Sequence, residues 1–82
     1  MSHEISRDPS DYRPRNHTLQ RAKYRGIKRW MVAQTIEEGE MLSDPEPNVK
    51  VFVGEIGAKR YPVKVVCNVV QQVIISAMWK YE

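Results

Sequence analysis

The hydrophobic pattern of this 82-residue chain changes period midway, and that change constrains the fold more than any other feature. Between His17 and Glu38 the apolar residues recur at helical spacing. From Val49 onward they crowd into short runs rich in Val and Ile, which read as strands. The halves are divided by DPEPN (44–48), where two prolines and two turn-forming residues enforce a loop. Helices followed by strands in so short a chain give one α+β domain of two layers. The core must be thin, and a homodimer or a partner protein would add buried surface.

The boundaries follow from local chemistry. Residues 1–15 are polar, carry Pro9 and Pro14, and read as a flexible N-terminal arm ahead of a single domain over 16–82, the alternative being an arm that orders on a partner through Tyr12, Arg13 and Arg15. Asn16 is a reasonable N-cap for a helix over 17–25, and Gly26 supplies the left-handed residue that ends it. A second helix fits 28–38, with Val32 and Ile36 facing inward and Gly39 closing it. Leu19 and Ile27 join that core, and Trp30 and Met31 read as core packing too. Met41–Ser43 is a short extended piece. Strands are expected over 49–55, 60–70 and 73–80, with Gly57 in a turn and Pro62 at an edge or at strand entry.

The last hairpin has two registers. An odd loop at Val70-Gln71-Gln72 aligns Val63, Val65, Cys67 and Val69 with Val73, Ile75, Ala77 and Trp79 on one apolar face. An even loop mixes Lys64 and Asn68 into that face. Burial favours the odd loop, because a one-residue slip turns every side chain over. The expected architecture is two N-terminal helices packed on a three- to four-stranded antiparallel sheet.

Charge is distributed unevenly. Residues 17–30 hold Arg21, Lys23, Arg25, Lys28 and Arg29 with no acid, and the next stretch holds Glu37, Glu38, Glu40, Asp44 and Glu46 with no base. On a helix, His17, Arg21 and Arg25 stack on one face. A ladder of like charges destabilises a helix, so it calls for an anionic ligand or for pairing with the acidic block.

Several chemistries are excluded. Cys67 is the single cysteine, so the chain can form neither an internal disulfide nor a cysteine-built zinc site. It lies in an apolar run and reads as an inert thiol. His3 and His17 have no metal-binding neighbours at ligand spacing. Gly54 and Gly57 make no phosphate loop. No run reaches membrane-spanning length, and MSHEISRDPSDYRPR has no apolar signal core. The reading is a cytoplasmic protein with no membrane partner and no cofactor.

What remains suits RNA. The basic and aromatic set comprises His17, Arg21, Lys23, Tyr24, Arg25, Lys28 and Arg29 from the helices, with Lys59, Arg60, Tyr61, Lys64, Trp79, Lys80 and Tyr81 from the sheet. Arginines neutralise phosphates and aromatics stack on unpaired bases. A histidine can move a proton near neutral pH. RNA carries its own nucleophile, the 2′-hydroxyl, so cleavage needs no metal: a base, an acid and cations suffice.

HTLQRAKYRGI (17–27), then Val32, Ile36 and EEGEM (37–41), then a tail ending VIISAMWKY (73–81), resembles a prokaryotic domain-of-unknown-function family grouped with RelE/ParE-like toxins, small metal-independent ribonuclease-type folds. The resemblance spans about residues 15–81 and is sharpest at His17, Arg21 and Arg25-Gly26-Ile27. It implies a catalytic set of His17, Arg21, Arg25 and Ser76, with His17 as general acid or base and the arginines on the scissile phosphate. Lys23, Lys28, Arg29, Arg60 and Lys64 would hold the rest of the nucleic acid. It further implies a toxin-type ribonuclease acting on RNA, ribosome-associated RNA included, under the control of an antitoxin protein. The alternatives are a non-catalytic module binding nucleic acid or protein, and a ParE-like inhibitor of a protein target.

Overall fold

The computed structural model describes residues 5–56 and 62–81. A 3₁₀ turn at Pro9–Asp11 leads into a two-residue strand, β1 (Arg13–Pro14). Helices α1 (Thr18–Tyr24) and α2 (Arg29–Glu38) follow, then strands β2 (Glu40–Ser43), β3 (Val49–Gly54), β4 (Val63–Asn68) and β5 (Val73–Trp79). The sheet order is β1-β5-β4-β3-β2, with β1 parallel to β5 and every other pair antiparallel.

The fold class expected from sequence is therefore corrected. The chain is α+β, but the helices lie between strands, and the sheet is mixed and five-stranded rather than antiparallel with three or four strands. The missed strand is β1. Two residues carry no period, and Pro14 argues against a strand unless it sits at an edge, which is where β1 lies.

The stretch read as a loose arm is packed from Ile5 onward. Tyr12 is buried and its hydroxyl donates to Ser6 O at 2.7 Å. Burial pushes the Tyr12 phenol above its ordinary pKa. Arg7 reaches the end of α2, donating through Nε to Ile36 O at 2.7 Å and through Nη2 to Gly39 O. Its guanidinium carbon lies 5.0 Å from the centre of the Phe52 ring. Orphan carbonyls at the helix end are thus met by a side chain 29 residues upstream of Ile36.

Both helices cover one face of the sheet, α1 over β5 and α2 over β3 and β4. Ala22, Ile27, Met31, Val32 and Ile36 meet Phe52, Val63, Val65, Cys67, Ile74 and Ala77 in one core. Trp30 is not part of it and stays 53% exposed. Leu19 is half-buried. Gly26 takes the expected left-handed conformation at φ +77°. The expected N-cap shifts: His17, at φ 67° and ψ 0°, precedes the helix, with no side-chain cap bond. Thr18 N–H donates to Arg15 O at 3.0 Å, closing a turn whose third residue is His17. Those angles are those of the third position of a type II turn.

The hairpin takes neither expected register whole. The turn between β4 and β5 spans four residues, an even count, with Asn68 Oδ1 accepting from the N–H groups of Val70 and Gln71 at 3.1 and 2.9 Å. Beside the turn Cys67 faces Ile74. Beyond it the register slips between Val66 and Cys67, so that Val65 faces Ala77 and Val63 faces Trp79. Ile75 is the extra residue of this bulge. It is half-buried, and Ile74 takes the core position expected for it. The bulge lets an even turn coexist with an apolar inner face.

Candidate nucleic-acid interface

β1 accompanies β5 for only two residues before the chain turns away into α1. The departure leaves a cleft of about 340 Å³ between α1 and the outer edge of β5. Arg15, Asn16, Thr18, Arg21 and Arg25 line one side, and Ile75, Ser76, Ala77 and Met78 line the other. Among the described residues no carboxylate lines it.

Three contacts fix α1 against the strand. Thr18 Oγ1 donates toward Ile74 O and Ile75 O at 3.4 and 3.3 Å. Arg25 Nη1 donates to Ala77 O at 3.3 Å. Trp79 Nε1 donates to Arg25 O at 2.6 Å. The helical spacing of Arg21 and Arg25 places both guanidiniums over the cleft, while the end of β1 delivers Arg15. Among the described residues neither Arg21 nor Arg25 pairs with Glu37, Glu38 or Glu40. The acidic block does not compensate the ladder.

Of the residues singled out by sequence, the cleft gathers Arg21, Arg25 and Ser76. Ser76 contributes from the strand edge, but strand alternation puts its side chain on the face opposite Ala77, away from the helices. His17 stands outside the lining, with Nδ1 3.1 Å from Gln20 Oε1. Lys23, Lys28 and Arg29 line a separate hollow of about 420 Å³ at the turn between the helices, floored by Leu19 and Ile27. Lys64 lies on the sheet face away from the helices, between the buried Val63 and Val65. Arg60 lies outside the described residues, as do Gly57, Lys59 and Tyr61. Arg15 was named only with Tyr12 and Arg13 as a partner-contacting residue of the arm, and its place beside Arg21 and Arg25 was missed. Only the pairing of β1 reveals it, and a two-residue strand leaves no sequence signal.

Aromatic surface flanks the basic residues. Tyr24 is 85% exposed between Lys23 and Arg25, and Trp30 is exposed beside Arg29. Cys67 is fully buried and burial pushes its thiol up to about 12, so it stays protonated and unreactive. Among the described residues no three His, Cys, Asp or Glu side chains cluster as metal ligands, and no helix is long and apolar enough to cross a membrane.

No protein-family model matches the chain, and no curated protein or solved structure matches it.

Proposed function

We propose that this chain binds single-stranded RNA through the cleft between α1 and β5. One observation carries the reading: Arg15, Arg21 and Arg25 converge on a cleft that no acid lines among the described residues. Clustered guanidiniums without a carboxylate partner among the described residues favour phosphate oxygens, which they can bind through two donors at once. Exposed Tyr24 offers a stacking platform beside them, a use open to unpaired bases and closed to a duplex. The RelE/ParE-like resemblance points to the same ligand.

The reading differs from a toxin-type ribonuclease in one respect. Cleavage by 2′-hydroxyl attack needs a group that takes a proton and one that gives it. Among the described residues the polar side chains that line the cleft are arginines, Asn16, Thr18 and Ser76, with no carboxylate or imidazole, and His17 lies outside it. Binding without cutting fits that set.

The test is salt dependence. Affinity for a single-stranded oligoribonucleotide should fall linearly on a log–log plot against salt, with a slope of about 0.7 per phosphate neutralised. Arg21→Ala combined with Arg25→Ala should lower that slope by about 1.4. Arg25→Ala also removes the bond to Ala77 O, so stability should fall by about 1 kcal/mol, and binding is measured well below the unfolding midpoint of the variant. Equal slopes would place the binding face elsewhere, and no binding at low salt would remove RNA as the ligand.

A further inference from the structure

Two contacts bracket the cleft along the strand. Arg15 N–H donates to Ile74 O at 3.0 Å at one end, and the Arg25 side chain donates to Ala77 O at the other. Three residue steps along β5 separate those carbonyls, at most about 10 Å at strand rise. That window suits about one nucleotide.

The polarity of the edge is also selective. Lys80 N–H donates to Pro62 O, which fixes the pairing parity: residues 76, 78 and 80 bond toward β4, and Ala77 turns its N–H and C=O toward the cleft. The outward carbonyls of Ile74, Ile75 and Ala77 already accept from Arg15, Thr18 and Arg25. Between the Ile74 and Ala77 carbonyls the edge still presents a donor, the Ala77 N–H. A visiting β-strand would need those carbonyls and find them taken. An anion needs donors only.

The charge count narrows the anion further. An internal phosphodiester carries one negative charge, whereas a phosphate monoester carries about −1.5 to −2 at neutral pH and three acceptor oxygens. Three guanidiniums and one outward backbone N–H around a single cleft match the second. We propose that this cleft takes the phosphomonoester end of an RNA strand, with Arg15, Arg21 and Arg25 sharing the terminal phosphate. The proposal rests on the RNA-binding reading above and specifies which part of the strand occupies the site.

The test compares three fluorescent single-stranded decamers of one sequence: 5′-phosphorylated, 3′-phosphorylated, and hydroxyl at both ends. One phosphorylated form should bind at least tenfold more tightly than the hydroxyl form, and which one does so identifies the end that is held. Arg15→Gln keeps the backbone bond to Ile74 and should abolish the preference while leaving weaker binding of all three. Three decamers binding within twofold of one another, with the salt slope still lost in the Arg21/Arg25 double variant, would overturn the end-specific proposal and leave the RNA-binding reading standing. Failure of all three to bind would overturn both.

Discussion

Trp79 and Arg25 hold each other across the cleft. The indole Nε1 donates to Arg25 O at 2.6 Å, and Arg25 Nη1 donates to Ala77 O, two residues before Trp79. The C-terminal end of α1 is thereby fixed to the free edge of β5. A seven-residue helix is too short to persist alone. Its position over the strand therefore depends on such tertiary bonds and on the burial of Thr18 and Ala22.

Trp79→Phe keeps an aromatic ring and removes the donor. The expected loss is about 1 kcal/mol, the usual net contribution of one hydrogen bond, read as a lower urea midpoint at unchanged slope. Binding of single-stranded RNA should weaken as well, because Arg25 loses its restraint. Unchanged stability and affinity would show that the pairing is incidental.

The two helix-ending glycines should behave differently. A Cβ on Gly39 would lie 2.4 Å from Thr35 O and 2.9 Å from Val53 O, both backbone atoms, so α2 and β3 would have to separate. Gly39→Ala should cost on the order of 3 kcal/mol or more. At Gly26 a Cβ meets nothing within 4 Å, and only the left-handed backbone resists it. Gly26→Ala should cost about 1–2 kcal/mol, with Gly26→Asn recovering part of it. Denaturant melts of the three variants would settle the order, and a Gly26→Ala protein less stable than Gly39→Ala would contradict it.

These glycines also mark how far sequence reasoning reached. Gly26, Gly39 and the spacing of Val32 and Ile36 were legible because local geometry limits what such residues can do. So were the inward Val63, Val65 and Cys67, which alternate along one strand. Three features were not. β1 gets its strand character only from pairing with β5, and a two-residue partner has no period. The bulge at Ile75 depends on a four-residue turn whose length is set by Asn68 capping, which apolar counting overlooks. The anchoring of Arg7 on Ile36 and Gly39 spans about thirty residues, and nothing local announces it. The site split the same way: Arg21 and Arg25 were visible from helical spacing, and Arg15 was not.

Cys67 gives a pH test of the core. Burial holds its thiol near 12, whereas an unfolded cysteine ionises near 8.5. Above that ordinary value the unfolded state binds fewer protons than the folded state, so stability falls as pH rises. The contribution is absent below about pH 8 and approaches ~1.4 kcal/mol per pH unit well above the ordinary value. The raised Tyr12 phenol acts in the same direction at higher pH. Urea midpoints at pH 8, 9 and 10 should therefore decline more steeply for the native chain than for Cys67→Ala, although the alanine variant starts lower because of the cavity it leaves. Parallel declines would show that the thiol is not shielded.

His17 separates binding from cleavage. Its backbone sits at φ 67°, a conformation unusual for a residue other than glycine, although histidine and asparagine enter it more readily than most. His17→Asn therefore keeps the turn and removes the imidazole. Because His17 lies outside the lining, the variant should bind single-stranded RNA within about twofold of the native chain. The native chain should return a labelled RNA intact after incubation without added metal. A competing outcome is well defined. If the native chain cuts RNA and leaves a 2′,3′-cyclic phosphate, if a 2′-deoxy residue at the cut site blocks it, and if His17→Asn slows it by about 100-fold or more, then His17 moves a proton in the reaction. The ribonuclease reading would then replace the binding one. Cutting that persists in His17→Asn would instead point to a contaminating nuclease and leave the arginine cleft as a binding site.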